Sequence, residues 1–397
     1  MNKNKQINLE TSKKFDVIIF NMSSYTEWIK GISNRNFHII DHLKHNPQIN
    51  KILAIDYLPH TWKRFFRNFY ENIVNTPSGK TLKITPLTRI YQPEEKIIVY
   101  STIKNKINLN KTLKEISDFA QAQNFKNIIL WSNYPLVTKH FDLIEHQVSV
   151  FDTIDNWSEH ASYKKFKKEL KQNYQIIRDK ADIIFILAKD SEKIFHPRKE
   201  NMYQITQGVD LVHYQNKSKL INNDIAHLPH PIIGYVGIIQ ENRINFPLIE
   251  YLAQKNPDKS LVLIGPIWRK EDEERLKKLP NIYLLGAKSY AEVPNYIQQF
   301  DVGIIPHLVN EFIKYTCPMK LYEYMACGIP IVTTDTPGVE QFPDYIKITN
   351  DFEKFNEFVQ NELNTDSEKK RNEKLQIIKE HTWAKKIDQM LNYIENV

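Results

Sequence analysis

The chain has 397 residues, 41% hydrophobic and 25% charged, the composition of a soluble globular protein. Its length argues for two domains of roughly 200 residues each rather than one core. No run of about 18 apolar residues exists, which excludes a spanning helix. Two cysteines support neither a disulfide framework nor a metal quartet and make a reducing, cytoplasmic compartment the expectation.

The net charge of +7 is unevenly spread. Residues 1–200 hold 32 Lys+Arg against 21 Asp+Glu, net +11, and residues 201–397 hold 22 against 26, net −4. The basic half is suited to an anionic surface or substrate.

Met1–Lys14 is polar with no apolar segment, so it reads as a loose tail and not a secretory leader. After it, short apolar runs at Asp16–Phe20, Lys51–Ile55, Ile97–Tyr100, Asn127–Trp131, Val148–Phe151 and Asp182–Ile186 read as buried strands. Helical patterns lie between them at Asn34–Lys44, Leu109–Gln121 and Tyr163–Lys180. A polar break without strong period follows over Asn216–His230. The second half repeats the alternation. Its strands are Ile232–Val236, Ser260–Ile264, Ile282–Leu285, Val302–Ile305, Ile329–Thr333 and Ile346–Ile348, and its helices are Phe246–Gln254, Lys270–Lys278, Tyr290–Gln299 and Met319–Ala326. From Asp351 the chain is helical and charged. Strands alternating with helices imply βα units around parallel sheets, here two doubly wound α/β domains in tandem. Ligands of such sheets sit at the carboxyl ends of the strands.

Several motifs are missing. The sequence has no Walker A loop, no G-x-G-x-x-G after a strand, no H-E-x-x-H, no paired C-x-x-C, no EF-hand loop and no G-x-S-x-G elbow. The richest stretch is Cys317–Thr334. It reads as a short helix with Pro318 at its first position, Gly328 at its C′ position, and a buried strand after it. Lys320 lies in the first turn, where a cation opposes the helix dipole unless an anion is present. With Glu323 one turn on, two readings stand level: a phosphate site at a helix N-terminus, or an exposed ion pair with lysine first, which would stabilise the helix by at most ~0.5 kcal/mol.

The remaining features are turns at strand ends: Gln207–Asp210, Gly234–Gly237 with Arg243 after it, Leu261–Pro266, Leu284–Gly286 and Phe300–His307. Each alone is an ordinary turn. Their order, ending in Lys320 and Glu323, resembles the donor domain of retaining GT-B glycosyltransferases of group 1. Gln207–Asp210 resembles that family's N-G-V-D hinge with glutamine for asparagine, and Lys320–Val332 resembles its K-x-x-E-x-x-A-x-G-x-P-V-V signature. The resemblance covers about residues 203–385, with His381-Thr382-Trp383 similar to the start of the family's final helix. In the first half, Phe151–Trp157 and the Trp28…Arg35 region resemble bacterial envelope-polysaccharide members.

The resemblance implies a GT-B fold, with two Rossmann-like doubly wound domains facing across a cleft and a C-terminal helix crossing back. It sets the domains at residues 1–206 (acceptor), 207–380 (nucleotide-sugar donor) and 381–397 (final helix packing on the first domain). It implies sugar transfer with retention from a nucleotide-sugar, UDP-linked, to a glycan or lipid-linked acceptor in capsular or lipopolysaccharide synthesis. Lys320, Arg243 and Glu323 would be the catalytic set. Lys320 and Arg243 would neutralise the diphosphate, and Glu323 would hold the ribose hydroxyls. Backbone donors would come from Thr316 to Met319, with Leu321 in the same turn. Leu285 and Gly286 would run beside the base, and Gly237 would let the backbone approach the phosphates. Metal and other cofactors are not expected, because Lys320 and Arg243 would do the neutralising, which the absence of an Asp-x-Asp motif fits, and neither is nucleic acid.

At the position of the family's earlier glutamate stands Tyr315, which bears on the sugar chosen. It also favours an alternative, a catalytically silent scaffold of the same fold. Asp152 and Asp155 read equally as caps of the following helix or as cleft residues. The segment His60–Tyr70 mixes cations with aromatics and suggests peripheral contact with an anionic membrane. The lysine run Lys164–Lys171 reads equally as membrane contact or as a solvated helix face.

Overall fold

The computed structural model describes residues 14–75, 78–216 and 224–397. The expected N-terminal tail and most of the first half of the 216–230 break lie outside the described residues.

Among the described residues, fifteen strands form two sheets. The first holds β1 (Phe15–Phe20), β2 (Ile49–Ile55), β3 (Lys80–Thr85), β4 (Thr88–Glu94), β5 (Ile97–Thr102), β6 (Ile128–Ser132), β7 (Val148–Asp152), β8 (Ile183–Ile186) and β9 (Met202–Gln204). Its order is β3-β4-β5-β2-β1-β6-β7-β8-β9. The second holds β10 (Ile232–Val236), β11 (Ser260–Ile264), β12 (Ile282–Gly286), β13 (Val302–Ile305), β14 (Ile331–Thr333) and β15 (Lys347–Ile348), in the order β12-β11-β10-β13-β14-β15. Both are doubly wound: β1 pairs in parallel with β2 and β6, and β10 with β11 and β13. Every expected strand is present within two residues. The antiparallel β3–β4 hairpin, added to the edge by β4–β5 pairing, was not foreseen. β3 is mostly exposed, so it lacks the apolar run that marks a buried strand.

By contact density the chain divides into two units, residues 1–26 with 39–150 and residues 27–38 with 151–397. In the first unit, Phe15–Phe20 is buried throughout, as a central parallel strand should be. The helix Leu109–Ala122 starts where Asn108 accepts a bond from the Lys111 amide, and it buries Leu113, Ile116 and Ala120 on one face.

In the second unit the six-stranded sheet sorts its side chains by alternation. Ile233, Tyr235, Leu261, Leu263, Val302 and Ile304 share one core with the helix Phe246–Lys255. Ile232, Val236, Val262, Ile264 and Ile305 share the other with the helix Met319–Cys327. That helix starts at Met319 as expected, but Pro318 stands just before its first position rather than at it. Pro318 is its cap residue (φ −71°, ψ 119°), because the chain there is still extended, and Gly328 ends it at φ +72°.

One fully buried ion pair organises this unit. Arg35 grips both carboxylate oxygens of Asp152 at 2.9–3.1 Å. It also donates to the carbonyls of Ile205 (3.2 Å) and Thr206 (3.1 Å) and to the Gln207 side chain (3.4 Å). Gln207 in turn donates to the Cys317 carbonyl at 3.2 Å. The next residue, Gly208, runs so close to Trp383 that a Cβ would stand 2.8 Å from its ring. Trp383 opens the final helix Trp383–Glu395 and stacks on His38 at 5.0 Å. Asp152 is thus an ion-pair partner and not a helix cap.

Candidate functional site

The candidate site lies at the carboxyl ends of β7, β10 and β13. After β10 the chain forms a tight loop, Gln240–Ile244, closed by hydrogen bonds from the Arg243 and Ile244 amides to the Gln240 carbonyl, 2.9 Å each. After β13 the chain meets that loop. Asn245 donates to Pro306, Leu308 donates to the Arg243 carbonyl, both at 2.8 Å, and Ile244 bridges His307. Arg243 and His307 are therefore held side by side by backbone. Among the described residues the Arg243 guanidinium has no hydrogen-bond or ion-pair partner, and it lies 5.8 Å from the Phe312 ring centre. Its five donors are in the fork geometry that suits a carboxylate or phosphate.

His307 is 5% exposed. Its backbone oxygen accepts from the Thr334 hydroxyl at 2.8 Å, and its Nδ1 has no partner. Burial, with Arg243 and Lys320 beside it, pushes its pKa down to about 3. At neutral pH it is an uncharged imidazole between two cations.

The helix Met319–Cys327 completes the group. Pro318 supplies neither an N–H nor a side-chain cap, and the amides of Met319 and Lys320 make no backbone bond. Thr316 is turned away, since its amide (2.9 Å) and hydroxyl (3.0 Å) both donate to the Ile313 carbonyl. Lys320 Nζ reaches both Glu323 oxygens, at 2.8 and 3.1 Å. The pair exists but is not a surface pair: Glu323 is 3% exposed and Lys320 23%. A buried carboxylate needs a positive partner, and in this state Lys320 is that partner. Leu321 points away from the site, into the core.

The other expected residues sit on neighbouring strand ends. Gly237 follows β10 at φ +155°, its amide donating to Ile264 at 2.8 Å, and a Cβ there would stand 2.4 Å from the Tyr235 hydroxyl. Leu285 and Gly286 end β12, three strand positions from β13. Around Gly286 the space a Cβ would fill is open. Tyr315 belongs to a turn, Ile313–Tyr315, whose flank lines a cavity of about 250 Å³ with Ala188, Val309 and Thr336.

The sequence reading missed part of this group. His307 was quoted only as the end of a strand segment, and His160 and Phe312 were not singled out. The His160 ring meets the Phe312 ring edge-on at 4.9 Å, the same ring that Arg243 approaches. Asp155 is not the cap of the turn that follows, because Asn156 is: its side chain accepts from the Ser158 amide at 3.1 Å. Burial raises the Asp155 pKa, against the opposing pull of Arg243 and His160. A histidine two residues past a buried strand is the sequence signal that would have found His307.

This architecture is the GT-B fold. Over 97% of this chain and 100% of the other, it superposes on Anabaena Alr3699/HepE, solved in complex with UDP and glucose (TM-score 0.67, 14% identity). It superposes similarly on sucrose-phosphate synthase of Thermosynechococcus elongatus, covering 96% and 99% of the two chains (TM-score 0.68, 12% identity).

Residues 230–358, the segment that carries Arg243, His307, Lys320 and Glu323, match the family model described as Glycosyl transferases group 1. The chain is also similar to TuaH of Bacillus subtilis (strain 168), provisionally named a teichuronic acid biosynthesis glycosyltransferase. It is 24% identical over 255 residues, or 61% of this chain, and the match spans 64% of the relative's length. No helix among the described residues is long and apolar enough to cross a membrane.

Proposed function

We propose that the protein is a glycosyltransferase of cell-surface glycan synthesis that takes a sugar from a UDP-linked donor to a glycan or lipid-linked acceptor with retention of configuration. The supporting observation is the group of unsatisfied donors at the ends of β10 and β13 and the start of the helix Met319–Cys327. The Arg243 guanidinium and the Met319 and Lys320 amides face no acceptor of their own, and they lie in the segment that matches the family model. The UDP bound to the similar HepE structure supports a uridine diphosphate donor.

In this reading the leaving diphosphate gathers negative charge as the sugar–oxygen bond breaks. Fixed cations and amide donors stabilise that charge, each such donor contributing about 3 kcal/mol. Lys320 transfers its contact from Glu323 to the phosphate, and Glu323 turns to the ribose hydroxyls. The acceptor hydroxyl attacks from the face the diphosphate leaves, and a phosphate oxygen takes its proton. The two cations take the place of a divalent metal, so activity should survive a chelator.

Incubation with a panel of nucleotide-sugars, following nucleoside diphosphate release with and without EDTA, tests the reading. Slow donor hydrolysis insensitive to EDTA is the expected result. The Lys320–Glu323 pair and Tyr315 favour a second reading, a silent scaffold of the same fold. Nucleotide binding without turnover of any donor, even with glycan acceptors supplied, would select it.

A further inference from the structure

One segment of the first unit has its apolar side facing water. Thr61 caps a helix by accepting from the Arg64 amide at 3.3 Å. The helix runs Trp62–Asn68 and continues as π-helix through Phe69–Val74. Its buried residues are Asn68, Asn72 and Ile73, and Asn68 is tied down by a 2.7 Å bond to the Tyr57 carbonyl. Its outward residues are Trp62 (59% exposed), Phe66 (65%), Tyr70 (63%) and Val74 (53%). They are spaced four apart, so they form one stripe along the helix. A helix of a soluble protein has the opposite arrangement, with asparagines outside and aromatics inside. The aromatics are in fixed positions: Trp62 packs edge-on against Phe65 at 5.3 Å, and Phe65 against Phe66 at 5.4 Å.

Cations flank the stripe. Lys63, Arg64 and Arg67 lie on the same helix, and the Lys106 ammonium lies 5.4 Å from the Trp62 ring centre. Between residues 62 and 74 the only acid is Glu71, which pairs with Arg67 at 2.9 Å. A second copy of the chain on this face would set the same cations against one another, which disfavours a symmetric dimer. An apolar stripe with an aromatic belt and cationic flanks matches the boundary between acyl chains and anionic headgroups. The lysine run at 164–171 has no such stripe, and Lys167 and Lys171 are drawn to Glu159 at 2.6 and 3.6 Å.

We propose that the helix of residues 62–74 lies in the surface of an anionic lipid bilayer, with Trp62, Phe66, Tyr70 and Val74 among the acyl chains and Lys63, Arg64 and Arg67 against the headgroups. This holds independently of the transferase reading. The test is co-sedimentation of the full chain with phosphatidylcholine vesicles, with and without phosphatidylglycerol, at low and high salt. Binding should require phosphatidylglycerol and weaken with salt. Each cation near such a surface contributes roughly fivefold to partitioning, so Lys63→Gln/Arg64→Gln/Arg67→Gln should bind roughly a hundredfold more weakly. Trp62→Ser/Phe66→Ser/Tyr70→Ser should lose binding while unfolding as the parent does, because those side chains are already in water. Wild-type binding by the second variant overturns the proposal. So does indifference to phosphatidylglycerol, or a failure to bind vesicles together with a dimer that the serine variant dissolves.

Discussion

Two of the buried carboxylates in the second unit, Asp152 and Glu323, are each gripped by a cation, and they differ in what is left over. Around Asp152 the account closes. Arg35 uses its guanidinium on two carboxylate oxygens, two carbonyls and a glutamine. Around Glu323 it stays open. Lys320 is partly in water, and among the described residues two helix-start amides have no acceptor, Arg243 has no hydrogen-bond or ion-pair partner and His307 Nδ1 has no partner. A polar network with every group satisfied fixes a shape. One with surplus donors leaves a place for an anion. The first pair belongs to the architecture, and the second is the one the proposed function puts to use.

The largest expected effect falls on the closed network. Arg35→Met leaves the Asp152 carboxylate buried without a partner, and denaturant unfolding should show a loss of about 3–5 kcal/mol. A loss below about 1 kcal/mol would erase the distinction. Arg243→Ala is the mirror experiment. It should lower donor turnover by about 3 kcal/mol, roughly a hundredfold, while unfolding stays within about 0.5 kcal/mol of the parent. Lys320→Ala should cut turnover comparably, and near-normal activity there would refute the phosphate role. Glu323→Gln should act mainly on donor affinity, by about 1.5–3 kcal/mol for a lost charged hydrogen bond, read by calorimetric titration with UDP.

His307 gives the comparison a pH axis. Its pKa is 6.5 in the unfolded chain and about 3 when folded, so between those values the unfolded chain binds the extra proton. Stability from this group is complete above pH 6.5 and falls with acid, by up to about 1.4 kcal/mol per pH unit, until about pH 3. His307→Gln should flatten that part of the profile in urea titrations, and an unchanged slope would contradict the buried neutral imidazole. The smallest effect is expected at Gly328, which touches neither network. Its φ of +72° makes Gly328→Ala cost about 1 kcal/mol in unfolding.

Sequence patterns reveal what is local. Ile232–Val236, Ser260–Ile264 and Val302–Ile305 were bounded to the residue, because each apolar run is too short for a helix and is flanked by turn residues. The helix at Met319 was visible through its proline and glycine. Lys320 and Glu323 were visible as a pair, but whether the pair was buried was not, since burial depends on Tyr214 and other residues about a hundred positions away. The Arg35–Asp152 pair spans 117 residues, and neither side chain announces its partner. His307 and His160 converge on Arg243 and Phe312 from three strand ends, a meeting that no spacing in the sequence encodes.

The hold of Arg35 also has a consequence for how the chain is made. Residues 27–38 are made more than a hundred residues before their partners Asp152, Ile205 to Gln207, Tyr290 and Trp383. Until Trp383 has been synthesised, that segment cannot complete its contacts. Contacts this distant in sequence are slow to close. A polypeptide trimmed to begin at Phe151 would never close them, and its Asp152 would be stranded. A free-standing C-terminal half therefore needs residues 27–38 supplied, as a peptide or by circular permutation.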